Sequence, residues 1–154
     1  SEYNADALPD GSPFKIHLVV SEWNNNITEA LLQGAQTTLV QLGVRPEHLK
    51  IWKVPGSFEL VYGCKRMIKT LQLDAIIAIG NVIQGETKHF DFVCEGVTQG
   101  VKDLNVMHET PVIFCVLTDN TMQQSIERSG GKHGNKGTEA AVAAIKMAEL
   151  RNNS

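Results

Sequence analysis

Four short runs constrain the fold more than any other feature: FKIHLVV (14–20), LKIWKV (49–54), DAIIAIG (74–80) and PVIFCVL (111–117). The first, third and fourth are nearly continuous apolar stretches. Such runs suit strands covered by helices on both faces, as in a parallel sheet. The intervals between them carry a helical period. Ile27, Ala30, Leu31, Gly34, Ala35, Thr38, Leu39 and Leu42 share one helix face, stopped by Gly43 and Pro46. Leu60, Val61, Cys64, Met67, Ile68 and Leu71 make a second face. Val93, Gly96, Val97, Gly100, Val101 and Leu104 make a third, with glycines that permit close packing. After the fourth run, TDNTMQQSIERSG predicts a short helix capped by Thr or Asp. A glycine-rich hinge, GGKHGNKG, then leads to an Ala-rich helix over roughly 138–150. The order βαβαβαβαα predicts a three-layer α/β/α sandwich around a four-stranded parallel sheet, a flavodoxin-like arrangement.

The 154 residues match one domain, large enough to bury about 70% of the unfolded surface. Residues 14–154 are read as that domain. Residues 1–13, SEYNADALPDGSP, are read as an acidic, turn-rich arm, flexible or docked. The arm lacks the basic and apolar regions of a signal peptide and the Arg-rich character of a transit peptide. No apolar run approaches the ~20 residues that span a bilayer. These features predict a cytoplasmic protein with no membrane partner. A net charge of -3 without a basic stripe argues against nucleic acid. Cys64, Cys94 and Cys115 are odd in number, widely spaced and set in apolar periods. They are read as reduced core thiols rather than disulfides or metal ligands.

Right-handed crossovers put the loops after all four strands on one edge of the sheet, where ligands of α/β proteins bind. In GETKHFD, Gly85 allows a ligand close to the backbone, and the amides of Glu86 and Thr87 at a helix start favour an anion such as phosphate. His89 would lie beside them, and histidine titrates near neutrality. The competing reading is a plain helix start with Thr87 as cap and Asp91 favouring the dipole. In VPGSFEL, Ser57 is a candidate cap, while Phe58 and Glu59 sit at the helix mouth. Glu59 either accepts bonds from ligand hydroxyls or favours the dipole. In SEWNNNIT, Trp23 ends a strand ahead of several candidate N-caps, and either stacks on a planar heterocycle or packs in an interface.

Arg128, Lys132, His133 and Lys136 cluster around glycines. An arginine there can clamp a phosphate or simply be solvated at a helix C-terminus. The cluster is not a P-loop, because His133 follows Lys132 where Ser or Thr is needed. No G-x-G-x-x-G follows the first strand, so the dinucleotide fingerprint also fails. No HExxH or paired-Cys spacing suggests a metal site. His17, His48 and His108 are read as structural.

The segments WNNNIT, VPGSFEL, DAIIAIGNVIQGETKHFD, PVIFCVLT and SIERSGGKHGNKGTEAA, in this order, resemble the lumazine synthase family over nearly the whole chain beyond the first dozen residues. The resemblance implies condensation of 5-amino-6-ribitylaminouracil with 3,4-dihydroxy-2-butanone 4-phosphate to 6,7-dimethyl-8-ribityllumazine, with release of phosphate and water and no cofactor or metal. It implies proton transfer by His89 and phosphate binding by Arg128 with the backbone of Glu86 and Thr87. Trp23 corresponds to the aromatic stacked on the pyrimidine, where the family commonly has Phe. Ser57, Phe58 and Glu59 correspond to the segment gripping the ribityl-bearing substrate, and Asn81, Val82 and Ile83 to the backbone that reads the pyrimidine edge. Phe114 corresponds to a position reaching the site across a subunit boundary, and Lys136 to a basic residue nearby. The resemblance also implies a homo-oligomer with sites between subunits of a pentamer, the short hinge being compatible with a 60-mer of twelve pentamers. Riboflavin synthase is a candidate partner. The alternative is a non-catalytic lumazine- or flavin-binding, or shell-forming, paralogue.

Overall fold

The computed structural model describes residues 1–153. Four parallel strands form the sheet: β1 (Ile16–Ser21), β2 (Leu49–Val54), β3 (Ala75–Ile83) and β4 (Val112–Asp119), in the order β2-β1-β3-β4. The helices are α1 (Asn25–Gln41), α2 (Leu60–Thr70), α3 (His89–Met107), α4 (Met122–Arg128) and α5 (Lys136–Asn152). The three-layer sandwich anticipated from the apolar runs is the observed fold.

Alternation along the central strands divides the core in two. Ile16, Leu18 and Val20 of β1 and Ala75, Ile77 and Ile79 of β3 face α1 and α5. Val19, Ile76 and Ala78 face the layer of α2 and α3, meeting Leu60, Cys64, Val97 and Val101. Each fully buried Ile or Leu contributes about 1.5–3 kcal/mol, so both faces of the sheet resist exposure. This two-sided burial is why β1 and β3 read as unbroken apolar runs.

Two differences from the expected elements bear on the site. Helix α3 begins at His89, one turn before its apolar period does. The hinge is a small antiparallel pair, β5 (Ser129–Gly131) and β6 (Gly134–Asn135), followed directly by α5. Asn135 locks this join: its Oδ1 accepts the Gly137 amide at 2.7 Å and its Nδ2 donates to the Ala30 carbonyl at 3.0 Å. At Gly137 a Cβ would lie 2.0 Å from the Leu31 carbonyl oxygen, so α1 and α5 meet with no room for a side chain. The segment is therefore a clamp between helices rather than a loose hinge. At the other end of the chain, Ser1 Oγ donates to the Asn135 carbonyl and Tyr3 Oη to Gln41, so the first residues lie against α1 and the β6–α5 junction.

Candidate active site

The strand order places a topological switch point between β1 and β3, because the chain leaves β1 toward β2 and leaves β3 toward β4. Loops at the carboxyl ends of such strands diverge and open a crevice. A cleft of about 770 Å³ lies there, lined by Trp23, Gly56, Ser57, Phe58, Glu59, Asn81, Val82, Ile83, Gly85, Thr87, His89 and the start of α3. Three separate loops and the end of β3 thus meet around one space.

The loop after β1 is anchored at its ends. The Trp23 amide donates to the Pro55 carbonyl at 3.1 Å, and the indole itself is 65% exposed at the rim. Asn24 follows with φ 56° and ψ 53°, the left-handed region that a non-glycine residue adopts at a cost. It precedes α1 but does not cap it with its side chain, contrary to the expectation for this Asn-rich stretch. Its Nδ2 instead donates to Asn81 Oδ1 at 3.0 Å, which ties the aromatic's loop to β3.

After β2 the chain forms a single 3-10 turn, Ser57–Glu59, before α2. Ser57 is not the cap expected for this helix. Its buried hydroxyl accepts the Asn81 amide at 3.2 Å, fastening the turn to β3. The Glu59 carboxylate accepts the Gly56 amide at 2.9 Å and so closes the start of the turn. Phe58 projects over α3, where its ring covers Gly96, and 59% of it remains exposed.

The GETKHFD segment is exposed from Gly85 through His89. Lys88 stands at the N-cap of α3 and makes no side-chain cap bond, so Thr87 is not the cap expected of it. Its Oγ1 accepts the His89 amide at 3.3 Å in a local turn, while Asp91 lies in the first turn of α3 as expected. The amides of Glu86 and Thr87 precede the helix rather than begin it. Among the described residues they have no protein partner, which leaves them as donors beside the positive end of a helix dipole. A Cβ at Gly85 would meet nothing within 4 Å, so its open side faces space rather than protein.

Nine of the candidate residues line this cleft: Trp23, Ser57, Phe58, Glu59, Asn81, Val82, Ile83, Thr87 and His89. Glu86 lies in the same loop, between two lining residues. Arg128, Phe114 and Lys136 do not line it. Arg128 closes α4, donating to the Gln124 carbonyl at 3.1 Å with its Nη1 lying 3.7 Å from Asp119 Oδ1. Phe114 is exposed on the edge strand β4, and Lys136 pairs with Glu139 at 3.2 Å. The side chains of Asn24, Ser125 and Asp119, which the sequence reading does not single out, join Asn81 in a hydrogen-bonded line that ends in the Asp119–Arg128 ion pair. No local pattern announces them, since with Asn81 they sit on four separate segments and meet only in the folded chain.

Among the described residues no group of three His, Cys, Asp or Glu side chains could hold a metal ion, and no helix is long and apolar enough to cross a membrane. Burial pushes the Cys64 and Cys115 thiols up to about 12, which makes them inert core groups. Cys94 is only partly buried, short of the core position expected. Its thiol is also raised, by burial and then by Asp91.

Residues 13–152 match the family model described as 6,7-dimethyl-8-ribityllumazine synthase. The chain is 64% identical over 152 residues to the 6,7-dimethyl-8-ribityllumazine synthase of Christiangramia forsetii, covering 98% of this chain and 90% of that protein. It is 64% identical over 151 residues to the protein of the same name from Flavobacterium johnsoniae, covering 98% and 80% of the two. With that of Parabacteroides distasonis it shares 56% identity over 147 residues, covering 96% and 92%.

Proposed function

The chain belongs to the 6,7-dimethyl-8-ribityllumazine synthase family, and from that premise we propose how its residues divide the work of the reaction. The activity is that of a transferase in riboflavin biosynthesis. It condenses 5-amino-6-ribitylaminouracil with 3,4-dihydroxy-2-butanone 4-phosphate to 6,7-dimethyl-8-ribityllumazine, releasing phosphate and water. Imine formation, phosphate elimination and ring closure with dehydration each move protons, so the protein's tasks are to orient two substrates, hold an anion and exchange protons.

Trp23 stacks on the pyrimidine, supported by its exposure at the cleft rim. The backbone of Asn81, Val82 and Ile83 reads the pyrimidine edge. Ser57, Phe58 and Glu59 hold the ribityl chain, with Ser57 acting by fixing the turn and Glu59 by its carboxylate. His89, exposed at the first position of α3, is the proton-transfer residue. The unpartnered amides of Glu86 and Thr87 receive the phosphate together with Arg128. The observation that carries this assignment is the convergence of Trp23, Phe58 and His89 from three loops on one cleft at the switch point.

Arg128, Phe114 and Lys136 lie outside the cleft of a single chain, and an intersubunit site accounts for them: a second copy brings these residues to its neighbour's cleft. Exposed apolar side chains at Tyr62, Phe92, Val106, Met107 and Ile126 supply surface for such a contact. The assembly is a pentamer, with the 60-mer of twelve pentamers as its larger form and riboflavin synthase as a candidate partner. The protein works in the cytoplasm. Native mass measurement separates pentamer, paired pentamers and 60-mer.

Purified assembly given both substrates forms fluorescent lumazine and releases phosphate over many turnovers. Saturation at one ligand per site without turnover would overturn the enzymatic reading in favour of a binding protein.

A further inference from the structure

Five polar side chains from four segments, Ser125 and Arg128 sharing α4, form one line beneath the cleft: Asn24, Asn81, Ser125, Asp119 and Arg128. The direction of each bond follows from the donors available. Asn81 Nδ2 has two protons, directed at the Leu117 carbonyl (3.2 Å) and Ser125 Oγ (2.9 Å). The Ser125 hydroxyl accepts there and gives its single proton to Asp119 Oδ2 at 2.8 Å. Asn81 Oδ1 is then free to accept from Asn24 Nδ2. The other carboxylate oxygen of Asp119, Oδ1, faces Arg128. Asn81 and Ser125 are fully enclosed, and the Asp119 side chain is 12% exposed, so water does not compete freely for these bonds.

Asp119 is the only acceptor-only group on the line, so it sets the orientation of every member above it. We infer that Asp119, acting through Ser125, is a positioning residue for the condensation: it orients the Asn81–Asn24 pair that carries the Trp23 loop, and it restrains Arg128 by ion pairing. The inference rests on the assignment of Trp23 to the pyrimidine and Arg128 to the phosphate. It gives Asp119 opposite effects on the two substrates. Its carboxylate aids the pyrimidine side, and it opposes a second anion at Arg128.

Calorimetric titration of the assembled protein with inorganic phosphate, and separately with 5-amino-6-ribitylaminouracil, tests this. Asp119→Asn should tighten phosphate binding about threefold, the scale of one partly exposed ion pair, while weakening pyrimidine binding. Ser125→Ala should weaken pyrimidine binding about fivefold, the net worth of one buried hydrogen bond, and leave phosphate unchanged. Alanine is a strong helix former, so this second variant retains α4. General structural damage would weaken both ligands together, and that result overturns the inference. So does Asp119→Asn that leaves either affinity unchanged. Arg128→Ala separates the two layers of the argument. If it leaves phosphate affinity intact, the assignment of Arg128 falls and the inference with it. If it abolishes phosphate binding while Asp119→Asn does not raise it, the inference alone falls.

Discussion

The ring of Phe58 rests on the backbone of Gly96 so closely that a Cβ at Gly96 would stand 2.9 Å from Phe58 Cε1. One wall of the cleft is thus seated on a helix position that carries no side chain. Gly96→Ala should raise helix stability by up to about 1 kcal/mol, because alanine replaces glycine inside α3. It should also displace the half-exposed ring and raise KM for 5-amino-6-ribitylaminouracil several-fold. Thermal melts beside steady-state kinetics read both effects. An unchanged KM would show that Phe58 has no part in gripping that substrate.

Gly85 offers the converse experiment. A Cβ there touches nothing in the protein, so Gly85→Ala leaves the melting temperature nearly unchanged. If a ligand occupies that open side, the same variant loses efficiency with the phosphorylated ketone. Full retention of kcat/KM for the ketone would place the phosphate elsewhere.

His89 and Arg128 should fail in different ways. His89→Ala lowers kcat, and acid–base help of this kind is typically worth about 10²–10⁴-fold; its pyrimidine affinity changes little. Arg128→Ala mainly raises KM for the phosphorylated ketone. Single-turnover and steady-state kinetics on matched assemblies distinguish them, and equal losses in both parameters for both variants would defeat the division of labour.

Away from the cleft, His17 makes stability depend on pH. Its pKa is lowered, first by burial and then by Lys50 and Lys15. Its Nδ1 accepts the Trp52 indole N–H at 3.2 Å, and Lys50 sits 4.1 Å from that ring. An unfolded histidine takes its proton near 6.5, whereas the folded one takes it only at lower pH. Between those values the unfolded state binds more protons, so stability falls as pH drops below about 6.5 and levels off only beneath the folded value. Protonation also turns Nδ1 into a donor facing another donor. In a Trp23→Phe background, acid should therefore change Trp52 fluorescence, and His17→Gln should flatten both profiles.

Asn135→Ala removes the cap of α5 and its bond to α1, and should cost about 1–2 kcal/mol. Denaturant unfolding of assembled protein measures it. A loss confined to a few tenths would mean that the clamp at Gly137 suffices alone.

The sheet is legible in the sequence because β1 and β3, and the Cys115–Leu117 stretch of β4, are buried against helices, which leaves little room for polar residues. The start of α3 was not, since GETKHF has no buried face and its first turn is solvated. The β5–β6 pair escaped notice because glycine-rich segments carry no strand period; Asn135 and the helices around it hold them in place. The cleft itself was readable from topology, which brings Trp23, Phe58 and His89 to one edge. The line from Asn24 to Arg128 is not legible, because Ser125 and Asp119 look like ordinary helix and strand-end residues until α4 folds back over the end of β4 and sets Ser125 between Asn81 and Asp119.

Asn24 is subject to two demands that no other residue type meets together. Its backbone stands where glycine would rest most easily, while its carboxamide completes a bond that glycine cannot make. In a saturation library, position 24 should therefore tolerate almost nothing: glycine keeps the turn and loosens the loop, and bulkier residues distort the turn itself. Directed evolution that reshapes the aromatic rim at Trp23 will have to work around that fixed point, one residue away.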